Sequence, residues 1–387
     1  MRKGWEYKKL GEVCEVVTGT TPKTNIPEYW GKGHYWVTPA ELNDTTVYID
    51  KTERQITDEA LSKTKLRLLP VGTVLLSSRA PIGKVAIANA EMYCNQGFKN
   101  CICSEAINNK YLFYFLRLKK DYLNSLGRGA TFKEISKSIV ESIKIPLPPK
   151  STQLAIVTEL DKINELIRLK KEQLKDFDNL AQSLFYEMFG DPVENEKGWE
   201  VKKLGKVCSI GTGSTPNRKN KDFYENGTYP WVKSTEVCNL PIYSVEEYIT
   251  EKALKNSNCT LYPQNTILMA MYGQGKTRGQ IGLLKIEACT NQAVAAIIPA
   301  KEVVDEIFLC QHLMLMYEHI RNMARGGNQA NLNLSIVKSI QIFLPPLSLQ
   351  HLFAQRIEQI EREKSEVQKS IQDLETLLAS RMQYWFE

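Results

Sequence analysis

From residue 156 onward, apolar side chains recur at alternating spacings of four and three. The series runs Ile156, Leu160, Ile163, Ile167, Lys170, Leu174, Phe177, Ala181, Leu184 and Met188, and only Lys170 breaks it. The same rhythm returns at Phe353, Ile357, Ile360, Lys364, Val367, Ile371, Leu374, Leu378, Arg381 and Trp385, broken at Lys364 and Arg381. Charged residues fill much of the rest, so each stretch reads as the seam of a coiled coil. Pro148-Pro149 and Pro345-Pro346 stand where helices can begin. A helix of about 38 residues runs roughly 57 Å at about 1.5 Å per residue. Elsewhere the pattern shortens. Runs such as 72–76 and 84–88 are β-rich, 109–119 is helical, and turn signals separate them.

The two seams are part of a longer repetition. Residues 4–14, Gly-Trp-Glu-Tyr-Lys-Lys-Leu-Gly-Glu-Val-Cys, return at 198–208 with two changes. Gly19-Thr20-Thr21-Pro22 matches Gly213-Ser214-Thr215-Pro216, and Tyr35-Trp36-Val37 matches Tyr229-Pro230-Trp231-Val232. Asn95-Gln96 matches Asn291-Gln292, Arg128-Gly129 matches Arg325-Gly326, and Leu147-Pro148-Pro149 matches Leu344-Pro345-Pro346. A period of half the chain is too long for a solenoid, whose repeats run roughly 20–50 residues. It indicates one domain written twice. The expected fold is α+β: two tandem mixed α/β heads separated by two long helices that pack as an antiparallel coiled coil, with intramolecular pseudo-two-fold symmetry. The boundaries are a head at 1–147, a helix at 148–190, a head at 191–344 and a helix at 345–387.

Composition narrows the class without choosing a function. A hydrophobic share of 43% and a charged share of 24% are ordinary for a globular chain. The net charge of +6 permits nucleic-acid binding without arguing for it alone. No apolar run approaches the roughly 20 residues of a membrane span, and Met-Arg-Lys-Gly-Trp-Glu lacks a signal-peptide core, so a cytoplasmic location is expected. Nine scattered cysteines argue against a disulfide framework, and Cys14 and Cys208 read as small buried hydrophobes. Cys101 and Cys103 lack zinc-pair spacing. Gly275-Lys276-Thr277 fails as a phosphate loop, because the glycine required five positions earlier is Ala270. His312 and His319, two turns apart on one apolar helix, read as structural. No Asn-Pro-Pro-Tyr motif is present, and the chain is expected to be non-catalytic, with no metal or cofactor of its own.

The copies disagree in three loops. Leu-Ser-Ser-Arg-Ala-Pro-Ile after Leu75 faces the longer Met-Ala-Met-Tyr-Gly-Gln-Gly-Lys-Thr-Arg after Leu268. Ala130–Lys133 faces Gly327–Ala330, and Lys23-Thr24-Asn25 faces Asn217-Arg218-Lys219. Their Arg, Lys, Gln, Asn and Thr side chains suit phosphates and base edges. Candidate DNA-contacting residues are Lys23, Thr24, Arg79, Lys84, Arg128, Thr131 and Lys133 in the first copy. In the second they are Arg218, Lys219, Gln274, Lys276, Arg278, Arg325, Asn328 and Gln329. Two similar heads with different loops would read two different short sequences. On these residues alone a second reading stays open, a coiled-coil interaction adaptor with no DNA role.

The doubled order of Gly-Trp-Glu-x-x-Lys-Leu-Gly, Gly-[Thr/Ser]-Thr-Pro, Tyr-Trp-Val or Tyr-Pro-Trp-Val, Asn-Gln and Leu-Pro-Pro, with Arg-Ala-Pro-Ile-Gly in the first copy, resembles the specificity subunits of type I restriction–modification systems. The resemblance covers the whole chain. It implies two target-recognition domains, each reading one half of a bipartite double-stranded DNA target, and a coiled coil that fixes the spacer. Two methyltransferase subunits would dock on helix faces away from the seam and use S-adenosylmethionine. Nuclease-translocase subunits, using ATP and Mg, would join them. It also implies that the chain's end approaches the first recognition domain. Where the first copy has Arg-Ala-Pro-Ile-Gly, the second has the longer Tyr-Gly-Gln-Gly-Lys-Thr-Arg-Gly, so by sequence Gln274, Lys276 and Arg278 are the preferred readers there, with Arg79 and Lys84 as counterparts in the first copy.

Overall fold

The computed structural model describes residues 5–128, 133–273, 275–324 and 331–387. Both heads repeat one strand order. In the first, a five-stranded sheet runs Cys14–Thr18, Lys99–Cys103, Val74–Leu76, Val85–Ala88, Tyr48–Ile49. In the second it runs Cys208–Thr212, Val294–Pro299, Ile267–Ala270, Ile281–Leu284, Pro241–Ile242. Pairing is antiparallel except at the last strand, which lies parallel to its neighbour. Val74 and Leu76 enter one apolar cluster while Leu75 enters another. Ile267 and Met269 part from Leu268 and Ala270 in the same way. Side chains alternate across a strand, so a run buried throughout is a sheet covered on both faces.

A three-stranded sheet built on Trp30–Val37 or Tyr229–Val232 carries a separate small core around Trp36 or Trp231. A two-stranded sheet closes each head, pairing Glu6–Lys9 with Lys144–Leu147 and Glu200–Lys203 with Gln341–Leu344. It delivers the chain to the Pro-Pro pair, after which the long helices run Lys150–Phe189 and Leu347–Phe386. Buried Gln153 locks the first of these to its head. Its Oε1 accepts from Asn108 N at 2.8 Å, and its Nε2 donates to the Ala106 and Pro148 carbonyls at 3.1 and 2.9 Å. Gln350 repeats the lock, accepting from Asp305 N at 3.0 Å and donating to Pro345 O at 2.8 Å. A buried backbone group left without such a partner costs about 1–3 kcal/mol.

Two compact units cut across the helices. One comprises Met1–Lys171 with Lys369–Glu387, the other Glu172–Gln368. In each unit two helix segments run in opposite directions. In the first, Glu159 receives the Arg381 guanidinium and the Trp385 indole N–H, and Lys171 meets Glu375 at 2.7 Å. Further along, Met382 and Phe386 enter the head's core, and Phe386 lies 5.0 Å from the Tyr111 ring. Trp5 of the Gly-Trp-Glu motif stacks on Trp385. The chain's end therefore packs into the first head.

In the second unit Lys364 meets Asp178 at 2.9 Å, and Phe185 and Phe189 gather with Phe308, Phe343 and Phe353. The Trp199 indole donates to Phe189 O at 2.9 Å. Along the seams Ile156, Leu160, Ile163, Ile167, Phe353, Ile357, Ile360, Val367 and Ile371 are buried. Leu174, Phe177, Leu374 and Leu378 are half-buried. The charged interruptions at Lys364 and Arg381 are thus ion-paired rather than exposed gaps.

The helix expected to hold both His312 and His319 breaks at Met316 into Glu306–Leu315 and Tyr317–Asn322, which leaves His319 exposed. His312 is fully buried against Phe185, Phe308 and Phe343. Burial pushes its imidazole down to about 4, against the opposing pull of a hydrogen bond with Pro192 O. Below pH 6.5 the unfolded chain therefore takes up a proton that the folded chain refuses until about pH 4. Stability falls across that window and levels off beneath it, by about 3 kcal/mol in all. His312→Phe, which installs the residue at the matching place in the first copy (Phe115), should flatten this dependence. Denaturant unfolding of both proteins at pH 7 and pH 4 measures it, and parallel losses would exclude His312 as the cause.

Candidate nucleic-acid interface

The divergent loops of the first head adjoin one another through the Asn95-Gln96-Gly97 turn. The Thr21 hydroxyl donates to Gln96 Oε1, and Thr20 N donates to Cys94 O at 2.9 Å. A Cβ at Gly19 would collide with the Asn95 carbonyl, so this close approach requires glycine. The loop after Leu76 reaches the same turn, with Ser78 N on Gly97 O at 2.7 Å. It turns back on itself through Ser77, whose Oγ accepts from Lys84 N at 2.9 Å and donates to Pro81 O at 2.8 Å. The third loop is anchored by Ile135 N on Ser78 O at 2.9 Å and by reciprocal backbone bonds between Arg128 and Glu134. Described residues of three segments far apart in sequence are thus tied to one another through Cys94–Gly97 and Ser78.

Lys23, Thr24, Arg79, Arg128 and Lys133 are exposed on these loops. Lys84 is half-buried, and its ammonium donates to Pro39 O at 3.3 Å. In the second head Lys219 and Lys276 are exposed and Arg278 is half-buried. Thr131, Gln274, Arg325, Asn328 and Gln329 lie outside the described residues. Thr215 donates to Gln292 Oε1 at 2.5 Å, repeating the Thr21–Gln96 tie. Around the longer loop Leu332 N reaches Met271 O at 3.0 Å, and the Tyr317 hydroxyl donates to Lys276 O at 2.6 Å. Gly273, Gly275 and Gly279 all adopt positive φ there, at 146°, 65° and 88°.

Arg218 is already engaged. It pairs with Glu247 at 2.5 Å and lies over the Tyr224 and Trp231 rings at 4.7 and 4.8 Å. In the first head Arg54 covers Trp30 and Trp36 at 3.7 and 5.3 Å. Both arginines brace the tryptophan of the small sheet, but they come from different stretches of chain.

Two residues that sequence reasoning missed sit under the first head's loops. Lys99 is buried, and its ammonium donates to Glu134 Oε1 at 3.0 Å and Ser78 Oγ at 3.3 Å. The second oxygen of Glu134 accepts from Arg79 Nε at 2.9 Å. Burial pushes the Glu134 carboxyl up, but the hydrogen bonds from Lys99 and Arg79 prevail and hold it below the usual carboxylate range. The signal was present in the repeat. Where the first copy has Lys99 and Glu134, the second has Ala295 and Asn331. A charge appears and disappears together with its partner.

The units differ on their helical side as well. In the second, a groove of about 760 Å³ opens between Glu306–Leu315 and the long-helix segments, lined by Leu240, Tyr243, Met314 and Glu358 among others. At the matching place in the first unit Asp161 takes hydrogen bonds from Lys110 at 2.6 Å and Tyr114 at 2.7 Å, and Asn164 joins them at 3.1 Å.

Two heads of one design, each carrying its own polar loop surface on a shared pair of helices, define a modular recognition protein. A family model described as type I restriction modification DNA specificity domain matches residues 2–176 and again 196–376. The chain is 32% identical over 362 residues to the type I restriction enzyme MjaIX specificity subunit of Methanocaldococcus jannaschii, covering 89% of this chain and 84% of that one. It is 27% identical over 199 residues to the EcoR124I/EcoR124II specificity subunit of Escherichia coli, about half of each chain. The fold matches a chain from a structure on assembly and conformational transition of the type I R-M system, with TM-score 0.67 and 20% identity over 99% of this chain and 97% of that one. It also matches the S subunit from M. genitalium, with TM-score 0.58 and 15% identity over 99% and 96%. The chain belongs to the family of type I restriction–modification specificity subunits.

Proposed function

We propose that this chain supplies the DNA sequence specificity of a type I restriction–modification complex. Each head reads one half of a bipartite duplex target, and the paired helices set the spacing between the halves. The observation that carries this is the contrast between a scaffold written twice and loops that differ at matching places. A symmetric frame can seat two identical partners while its unlike loops read an asymmetric site.

Methyltransferase subunits dock on the helix faces away from the seam, where Leu154, Leu166, Leu169 and Leu180 of the first helix and Leu352 and Leu377 of the second stand exposed. Nuclease-translocase subunits join that assembly. S-adenosylmethionine, ATP and Mg belong to those partners, so this chain contributes the address and no chemistry of its own. The complex works in the cytoplasm, and no described helix is long and apolar enough to cross a membrane.

Deleting the gene should erase one bipartite adenine-methylation motif from the host genome, and restoring it should return the same motif. Sequencing methylated adenines in both strains measures this. An unchanged methylation map would exclude the reading.

A further inference from the structure

We infer that Arg79 reads a guanine in the half-site of the first head, held in its reading posture by Glu134 and buried Lys99. The inference rests on the DNA-specificity reading above and names a residue and a base within it.

Arg79 stands on a loop that differs between the copies, at the junction of the divergent segments, with its side chain 45% exposed. Only its inner nitrogen is committed, to Glu134 at 2.9 Å. Among the described residues the two terminal nitrogens have no hydrogen-bond partner. A guanidinium clamped at Nε and open at its far edge presents two parallel donors, which match the O6 and N7 acceptors of guanine in the major groove. Lysine has no such fork.

The charges of the cluster favour the same reading. An ammonium buried like that of Lys99 needs a counter-charge, and Glu134 supplies it. Had Glu134 faced Arg79 alone, the pair would be neutral and the arginine would be spent within the protein. With Lys99 beneath, one carboxylate serves two cations and the cluster keeps one net positive charge. Glu134 therefore fixes the direction of Arg79 without cancelling it. Its backbone is equally constrained, bonded to Arg128 on the neighbouring limb at 3.0 and 3.1 Å. An arginine already ordered loses less rotamer freedom when it meets a base. The second head has Ala295 and Asn331 in place of Lys99 and Glu134, so the device belongs to the first half-site alone.

The test maps methylated adenines in a host that expresses the full-length chain with its methyltransferase partner. Five strains are compared: gene deletion, wild type, Arg79→Ala, Arg79→Lys and Glu134→Gln. Arg79→Ala should make one G·C position of one half-site degenerate, with preference for that base falling at least about tenfold, and leave the other half-site strict. Arg79→Lys should relax the same position. Glu134→Gln, which removes the charge that aims the arginine, should relax that position and no other.

The inference is overturned if Arg79→Ala leaves every position strict, relaxes an A·T pair or abolishes methylation altogether. It is also overturned if Arg79→Lys keeps the full motif, which would mark a phosphate contact. If Glu134→Gln weakens all positions alike, Glu134 is structural and the positioning half of the inference fails. Should the deletion strain lose no motif, the underlying DNA-specificity reading fails instead.

Discussion

Exchanging residues 1–147 for the first head of another family member should replace one half of the recognised DNA sequence and leave the other half untouched. Occupancy of the parent target should drop to the non-specific level, a loss of roughly 10³-fold or more. The reason is local. The loop surface of the first head is tied together within that head, through Thr21–Gln96, Ser78–Gly97 and Arg79–Glu134. Its sheet divides its side chains between two clusters of its own. What the donor head must still accept is the long-helix packing: Ile156, Val157 and Leu160 from one side, Met382 and Phe386 from the other. A donor with comparable volume at Tyr111 and Phe115 should seat them. Methylation mapping reads the outcome, and a change in both half-sites would refute modular reading.

Phe185→Ala should destabilise the second unit by about 3–5 kcal/mol. Phe185 is fully buried, and its ring lies between 5.1 and 6.1 Å from those of Phe189, Phe308, His312, Phe343 and Phe353. Truncation opens a cavity at the point where both long-helix segments and the head meet. Each ring pair is worth about 0.5–1.5 kcal/mol beyond its buried area, so few substitutions here carry more. Calorimetry should show the transition of this unit lowered by roughly 10 °C, with the other unit little changed. A shift of a degree or two would mean that the cluster relaxes around the gap and that the ring is not its keystone.

The long helices were legible because a heptad needs only its own strip of sequence to be seen. Ile156, Leu160, Ile163 and Ile167 are buried as their spacing requires. The charged interruptions were not interpretable in that way. Lys364 and Arg381 find Asp178 and Glu159 on the opposite helix, and no local pattern announces a partner so distant in sequence. The heads were legible as mixed sheet and helix from short apolar runs. Their strand order was not, since Tyr48–Ile49 reaches Val85–Ala88 across a gap that no spacing rule bridges.

The divergent loops were legible only by comparing the copies, a comparison that named Arg79 among the candidate contacts. Comparison of loops alone passed over Lys99 and Glu134, because one lies inside a strand and the other beside a loop rather than in it. Nor does it announce the partners of Arg218, a candidate contact that pairs with Glu247 and lies over two aromatic rings.

The second unit lies unbroken between Glu172 and Gln368, while the first waits for the segment 369–387 that carries Met382 and Phe386. A ribosome therefore delivers everything the inner unit needs before it finishes the outer one. At about 5–20 residues per second, the first head spends on the order of ten seconds or more with its apolar seat uncovered. The last packing step of the first unit therefore waits for residues 369–387, after the other unit has its whole sequence. Translation speed and chaperone cover over that interval bear chiefly on the half of the molecule that was synthesised first.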